Sequence, residues 1–137
     1  MGAAMAPAAA ETICTHFRDF STSPANYDRI ITGDLGSFGS EMLYELCRGQ
    51  GYDIKSKHDD CGKLMFSEEQ NVHCGGSGCG CAATVLAGHI LPKIESGEYK
   101  KILFLATGAM LSPVSSLQGE SIPAIAHALV IKHVEEI

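Results

Sequence analysis

The run His73-Cys-Gly-Gly-Ser-Gly-Cys-Gly-Cys81 concentrates side chains that could do chemistry. Its glycines let backbone N–H groups come close to a bound group, and the apolar-periodic segment that follows reads as a helix with unpaired N–H groups at its start. Such a loop favours an anion, a carboxylate or a phosphate. Asp34, in Gly33-Asp-Leu-Gly36, follows a short apolar segment. It sits where a strand ends, the place where open α/β sheets gather ligands. It reads with equal weight as a turn residue or as the N-cap of a helix starting at residue 38.

Other chemistries fit these residues less well. Gly78-Cys-Gly-Cys-Ala-Ala83 satisfies G-x-G-x-x-A, but the ribose-binding acid expected about 20 residues later is missing near Thr107. No Gly-Lys-Ser/Thr follows, so a P-loop is excluded. His73, Cys74, Cys79 and Cys81 do not form a structural zinc pattern: Cys79 and Cys81 are one residue apart, and no second ligand pair appears later. We therefore expect no metal and no cofactor. Cys79 or Cys81 at a helix start could serve as a nucleophile, but the sequence fixes no base beside them; His89 and His127 qualify only if the fold brings them in. Asp59-Asp60 reads as a solvated turn.

The elements that must position these residues follow from apolar spacing. Residues 3–18 predict a helix and residues 21–26 a loop, followed by a strand over 27–32. Residues 38–49 predict a helix with Met42, Leu43, Leu46 and Cys47 on one face, stopped at Gly51. Residues 52–60 read as irregular and 63–67 as a short strand. A helix opened by the glycine-rich loop runs to about Ser96, with a kink expected at Pro92. Residues 101–106 read as a buried strand, 107–123 as a long loop, and 124–134 as a final strand. Strands alternating with helices give an α/β class with parallel pairs.

Composition narrows the function class. The chain has 137 residues, enough for one domain over 1–137 that buries a core without disulfides. Hydrophobic residues make up 45% and charged residues 19%, which excludes disorder. The formal net charge is −6, with no basic run, so no nucleic-acid partner is expected. No apolar stretch is long enough to span a membrane, and the Ala-rich opening lacks the basic region of a signal peptide. The six cysteines read as reduced thiols.

The stretches ITGDLG (31–36), DDCG (59–62), GGSGCGCAA (75–83), ATGAMLSP (106–113) and QGESIPAIAHAL (118–129) resemble the stage V sporulation protein AD family, and residues 5–20 are similar to it as well. The resemblance covers nearly the whole chain in one order. It implies a thiolase-like α/β/α fold of two related halves, of which this chain is the C-terminal one, as in a truncated or split product. It also implies lost catalysis: Gly76 to Ala82 lies over the His loop of thiolases, with Ser77 at the His position. Ala106 to Ala109 lies over the Cys motif, with Ala106 at the Cys position, and Gly33 to Gly36 lies roughly over the Asn-Glu motif or, in ketoacyl synthases, the His motif. Thioester condensation needs an oxyanion donor and a base, and serine and alanine supply no base at neutral pH. What the resemblance implies is a non-catalytic binder of pyridine-2,6-dicarboxylic acid (dipicolinic acid), alone or as its calcium complex, acting in spore dipicolinate uptake. The ligand-binding candidates are then Asp34, Gly76, Ser77, Gly78, Cys79, Thr107, Gly108 and His127. The implied partners are other stage V sporulation A membrane proteins and the N-terminal half of the fold or a second chain. The implied location is the forespore cytoplasm or the periphery of the spore inner membrane. The competing expectations are an acyltransferase using Cys79 or Cys81, and a structural subunit with a vestigial pocket. A lone half should expose an apolar face.

Overall fold

The structure, a computed structural model, describes residues 1–135. Helix α1 (Gly2–Asp19) leads through a 3₁₀ turn (Pro24–Asn26) to strand β1 (Arg29–Thr32) and helix α2 (Gly36–Gly49). Strand β2 (His58–Asp60) runs directly into the short helix α3 (Cys61–Leu64). After the glycine-rich loop come α4 (Cys81–Val85), a π turn (Leu86–Ile90) and α5 (Leu91–Glu95), then β3 (Lys101–Ala109), α6 (Pro113–Leu117) and β4 (Ala124–Lys132). The four-stranded sheet has the order β2-β1-β3-β4. β1 is parallel to both β2 and β3, and β4 is antiparallel to β3. The fold is mixed α/β, consistent with a partial α/β/α domain of the thiolase type.

The middles of the central strands, Ile30–Ile31 and Ile102–Leu105, are apolar because both of their faces are covered. Ile30, Leu103 and Leu105 pack with Ile13, Phe17, Leu43 and Cys47 of α1 and α2. Ile31, Ile102 and Phe104 pack on the other face with Val85, Ile90 and Ile94. The predicted kink takes the form of the π turn. Pro92 has no N–H, and its ring would strike the carbonyl of Gly88, so the helical ladder widens just before it.

Several expected boundaries differ, each for a tertiary reason. The buried face of α2 is Gly39, Ser40, Leu43, Tyr44 and Cys47, while Leu46 is exposed. Glycine draws that face inward: a Cβ on Gly39 would lie 3.0 Å from Gly2 of α1, so the helices cross where neither has a side chain. Residues 58–60 are a strand rather than irregular, since Ile30, Ile31 and Thr32 of β1 pair with them. The strand expected at 63–67 is absent. α3 forms instead, because the Asp60 carboxylate accepts from Lys63 N at 3.3 Å and caps it. The long loop is partly ordered: β3 continues to Ala109 because Thr107, Gly108 and Ala109 pair with Ala126, Ile125 and Ala124. Ser112 with Pro113 then starts α6.

Candidate functional site

A cleft of about 240 Å³ opens where β1 and β3 end, lined by Met1, Met5, Asp34, Ser77, Gly78, Cys79, Thr107, Gly108 and Ala109. Asp34 does not cap α2. Its carboxylate is the hub of the cleft, accepting from Ser77 Oγ at 2.8 Å, Gly78 N at 3.2 Å and Thr107 Oγ1 at 3.0 Å. The Thr107 hydroxyl oxygen in turn accepts from Asp34 N at 2.9 Å. The glycine-rich loop, the loop after β1 and the end of β3 thus meet on one carboxylate. Gly33 makes the approach possible, since a Cβ there would sit 2.6 Å from Thr107 Oγ1.

Asp60 holds this arrangement from below. It is fully buried, which corrects its reading as a solvated turn residue. Thr32 Oγ1 donates to it at 2.6 Å, Leu35 N at 2.8 Å and Gly36 N at 2.9 Å. The first N–H groups of α2 are therefore capped from another element. Gly36 must be glycine: its φ is +68°, and a Cβ would meet the Cys74 carbonyl at 2.6 Å. Asp60 also fixes α3, whose Gly62 carbonyl accepts from Gly76 N at 2.7 Å and so anchors the glycine-rich loop. Both walls of the cleft trace back to one carboxylate. Sequence reasoning missed it, although an Asp immediately before a short polar helix is a capping signal.

The network continues into the core. Because Thr32 donates to Asp60, it accepts from His58 Nε2 at 2.9 Å, which leaves Nδ1 to accept from the Tyr44 hydroxyl at 2.9 Å. Burial pushes the His58 pKa down to about 3 and the Tyr44 pKa up to about 12. The folded state thus keeps His58 neutral, while the unfolded chain protonates it near pH 6.5. This contribution to stability is complete above pH 6.5 and is lost as the pH falls toward 3. We expect urea unfolding to lose about 2 kcal/mol from this group between pH 7 and pH 5. His58→Asn should remove that share of the slope; an unchanged slope would show that His58 is not held neutral.

Gly76 and His127 do not line the cleft. Gly76 lies beneath it, where a Cβ would meet Phe66 at 2.8 Å. His127 is paired with Ala106 across β3 and β4 and is exposed. Strand alternation puts it opposite the face where Ala124, Ala126 and Ala128 pack on the α1 core. A model of stage V sporulation protein AD matches residues 1–132. The chain belongs to that family.

A curated relative, the stage V sporulation protein AD of Bacillus subtilis (strain 168), is 46% identical over 132 residues. Those residues cover 96% of this chain but 39% of the relative, so the chain spans well under half of that protein's length. Within the stage V sporulation protein AD family, then, this chain carries a segment in which GDLG and GGSGCGC build opposite walls of one cleft. DDCG, a third stretch of the resemblance, supplies the clamp beneath them.

The thiols divide sharply. Cys74 and Cys79 are exposed, whereas Cys14, Cys47, Cys61 and Cys81 are buried, and none forms a disulfide. Burial first, then the Asp34 and Asp60 carboxylates, raises the Cys81 pKa. That is opposite to what a thiolate nucleophile requires, and Cys81 Sγ faces the Gly33 carbonyl at 3.8 Å. Brief iodoacetamide treatment of the native chain should add two carbamidomethyl groups, at Cys74 and Cys79, by peptide mass mapping. Modification of Cys81 at a similar rate would contradict its burial. Among the described residues, no helix is long and apolar enough to cross a membrane.

Proposed function

We propose that the chain contributes the carboxylate-recognising cleft of a non-catalytic dipicolinic acid binding protein that acts in dipicolinate uptake during sporulation. One observation carries the reading: Ser77 Oγ, Gly78 N and Thr107 Oγ1 already hold a carboxylate, that of Asp34, at 2.8–3.2 Å. Donors arranged for one carboxylate suit a ligand that presents carboxylates on a flat ring, and Gly108 and Ala109 leave the adjoining wall open to such a ring. Family membership supports the sporulation role, and the relative's name is that of a sporulation protein. Ser77 and Ala106, at positions matched to reactive thiolase residues, support the absence of catalysis, as does the raised pKa of Cys81.

The working protein has more polypeptide around the cleft: the N-terminal half of the fold or a second chain. β4 is an edge strand, and Ile125 and Leu129 on it are 53% and 49% exposed. Leu111, Val114 and Leu117, in the connection between β3 and β4, are exposed as well. Other stage V sporulation A membrane proteins are the partners we assign, with the chain in the forespore cytoplasm or at the periphery of the spore inner membrane. Calorimetric titration with dipicolinate, alone and with calcium, tests the function. Saturable heat together with protection of Cys79, but not Cys74, from iodoacetamide supports it. Turnover of an acyl thioester blocked by alkylation of Cys79 would replace it with the acyltransferase reading.

A further inference from the structure

The donors that line the cleft are already engaged by the protein's own carboxylate. Asp34 takes the Ser77 hydroxyl, the Gly78 N–H and the Thr107 hydroxyl, which are the donors expected to receive a ligand. A second carboxylate at the same donors would lie within a few ångströms of the first, and like charges at that separation repel strongly outside bulk water. We propose that Asp34 is a specificity-determining residue, an internal occupant whose carboxylate any ligand carboxylate must displace from Ser77 and Gly78. The inference rests on the carboxylate-binding reading of the cleft.

The local structure lets the side chain leave without its backbone. Leu35 N and Gly36 N are bound by Asp60, and Ser37 N donates to the Cys74 carbonyl at 2.8 Å. Gly33 is packed against Thr107 and Ala82. Asp34 itself is partly exposed and faces the open cleft. Rotation of the Asp34 carboxylate toward solvent therefore breaks its bonds to Ser77, Gly78 and Thr107 while the loop stays clamped. A monoanion or a neutral ring gains little from this displacement. A dicarboxylate that bonds the freed donors offsets it, so Asp34 sets a threshold that favours ligands with more than one carboxylate.

The test is calorimetry with dipicolinate and with the monocarboxylate picolinate on the 137-residue chain. Asp34→Ala, and the isosteric Asp34→Asn should the first variant fold poorly, are compared with the wild type. We expect Asp34→Ala to bind dipicolinate on the order of tenfold more tightly, and picolinate to become measurable, because a charge and a competitor have gone; Asp34→Asn, which loses the charge but keeps one acceptor oxygen, should show a smaller gain in the same direction. Without ligand, the Gly78 amide proton should move upfield in the variants as its carboxylate acceptor is lost. Equal or weaker dipicolinate binding in a folded variant, with Ser77→Ala still lowering affinity, overturns the role of Asp34 and leaves the binding reading in place. No heat from either ligand in wild type or variants, with the N-terminal half of the fold supplied alongside the chain, overturns the binding reading and this inference with it.

Discussion

Asp60→Ala should lower the unfolding free energy of the chain by about 3–5 kcal/mol, read as a fall in the urea midpoint with an unchanged slope. The substitution removes the sole acceptor shown for three buried donors, Thr32 Oγ1, Leu35 N and Gly36 N, and also uncaps α3 at Lys63 N. Each buried donor left without a partner costs about 1–3 kcal/mol, and adjacent losses relax partly together. Asp60→Asn keeps one acceptor oxygen but turns an amide N–H₂ toward backbone donors, so it should fall between wild type and Asp60→Ala. The damage should not stay local. The Gly62 carbonyl, which anchors Gly76, and the Leu35 and Gly36 amides, which hold Asp34 in place, all depend on this group. Circular dichroism and dipicolinate binding should therefore weaken together. A folded Asp60→Ala chain with wild-type stability would mean that water or another group replaces the carboxylate.

Ser77→Leu acts on the ligand rather than on the fold. Ser77 is exposed on the rim of the cleft, so a larger side chain can be accommodated without disturbing the core. Leucine removes the hydroxyl that donates to Asp34 at 2.8 Å and brings an apolar branch to the cavity of about 240 Å³ that Ser77 lines. Loss of one charge-assisted hydrogen bond costs about 1.5–3 kcal/mol, and steric exclusion adds to it. The expected result is no detectable dipicolinate heat at concentrations that saturate the wild type, with thermal stability within about 1 kcal/mol of it. Ser77→Ala, which keeps the space and loses only the donor, should retain weakened binding. Unchanged affinity in the leucine variant would move the ligand away from this loop.

The two clamps of the cleft differ in how far they could be read before folding. Asp34 was legible because it follows an apolar strand and is flanked by glycines, a pattern that marks a ligand-bearing strand end. Its N-cap reading failed because the start of α2 is capped by Asp60, 24 residues away from Gly36. Asp60 was illegible because two adjacent acids usually lie in water. Only the parallel pairing of Thr32 with Asp60 carries this one into the interior, where four donors make its burial tolerable.

Local residue types alone determined the α/β alternation, the long first helix, the buried strand at Lys101 to Ala106 and the turn-forming glycines. Those signals are periodicity and backbone freedom, which act over a few residues. The tertiary structure alone decided that Ser77, Gly78 and Thr107 converge on Asp34, and that His127 faces away from them. Convergence depends on strand order and register, and β2-β1-β3-β4 joins segments from both ends of the chain through hydrogen bonds that no neighbouring residue specifies.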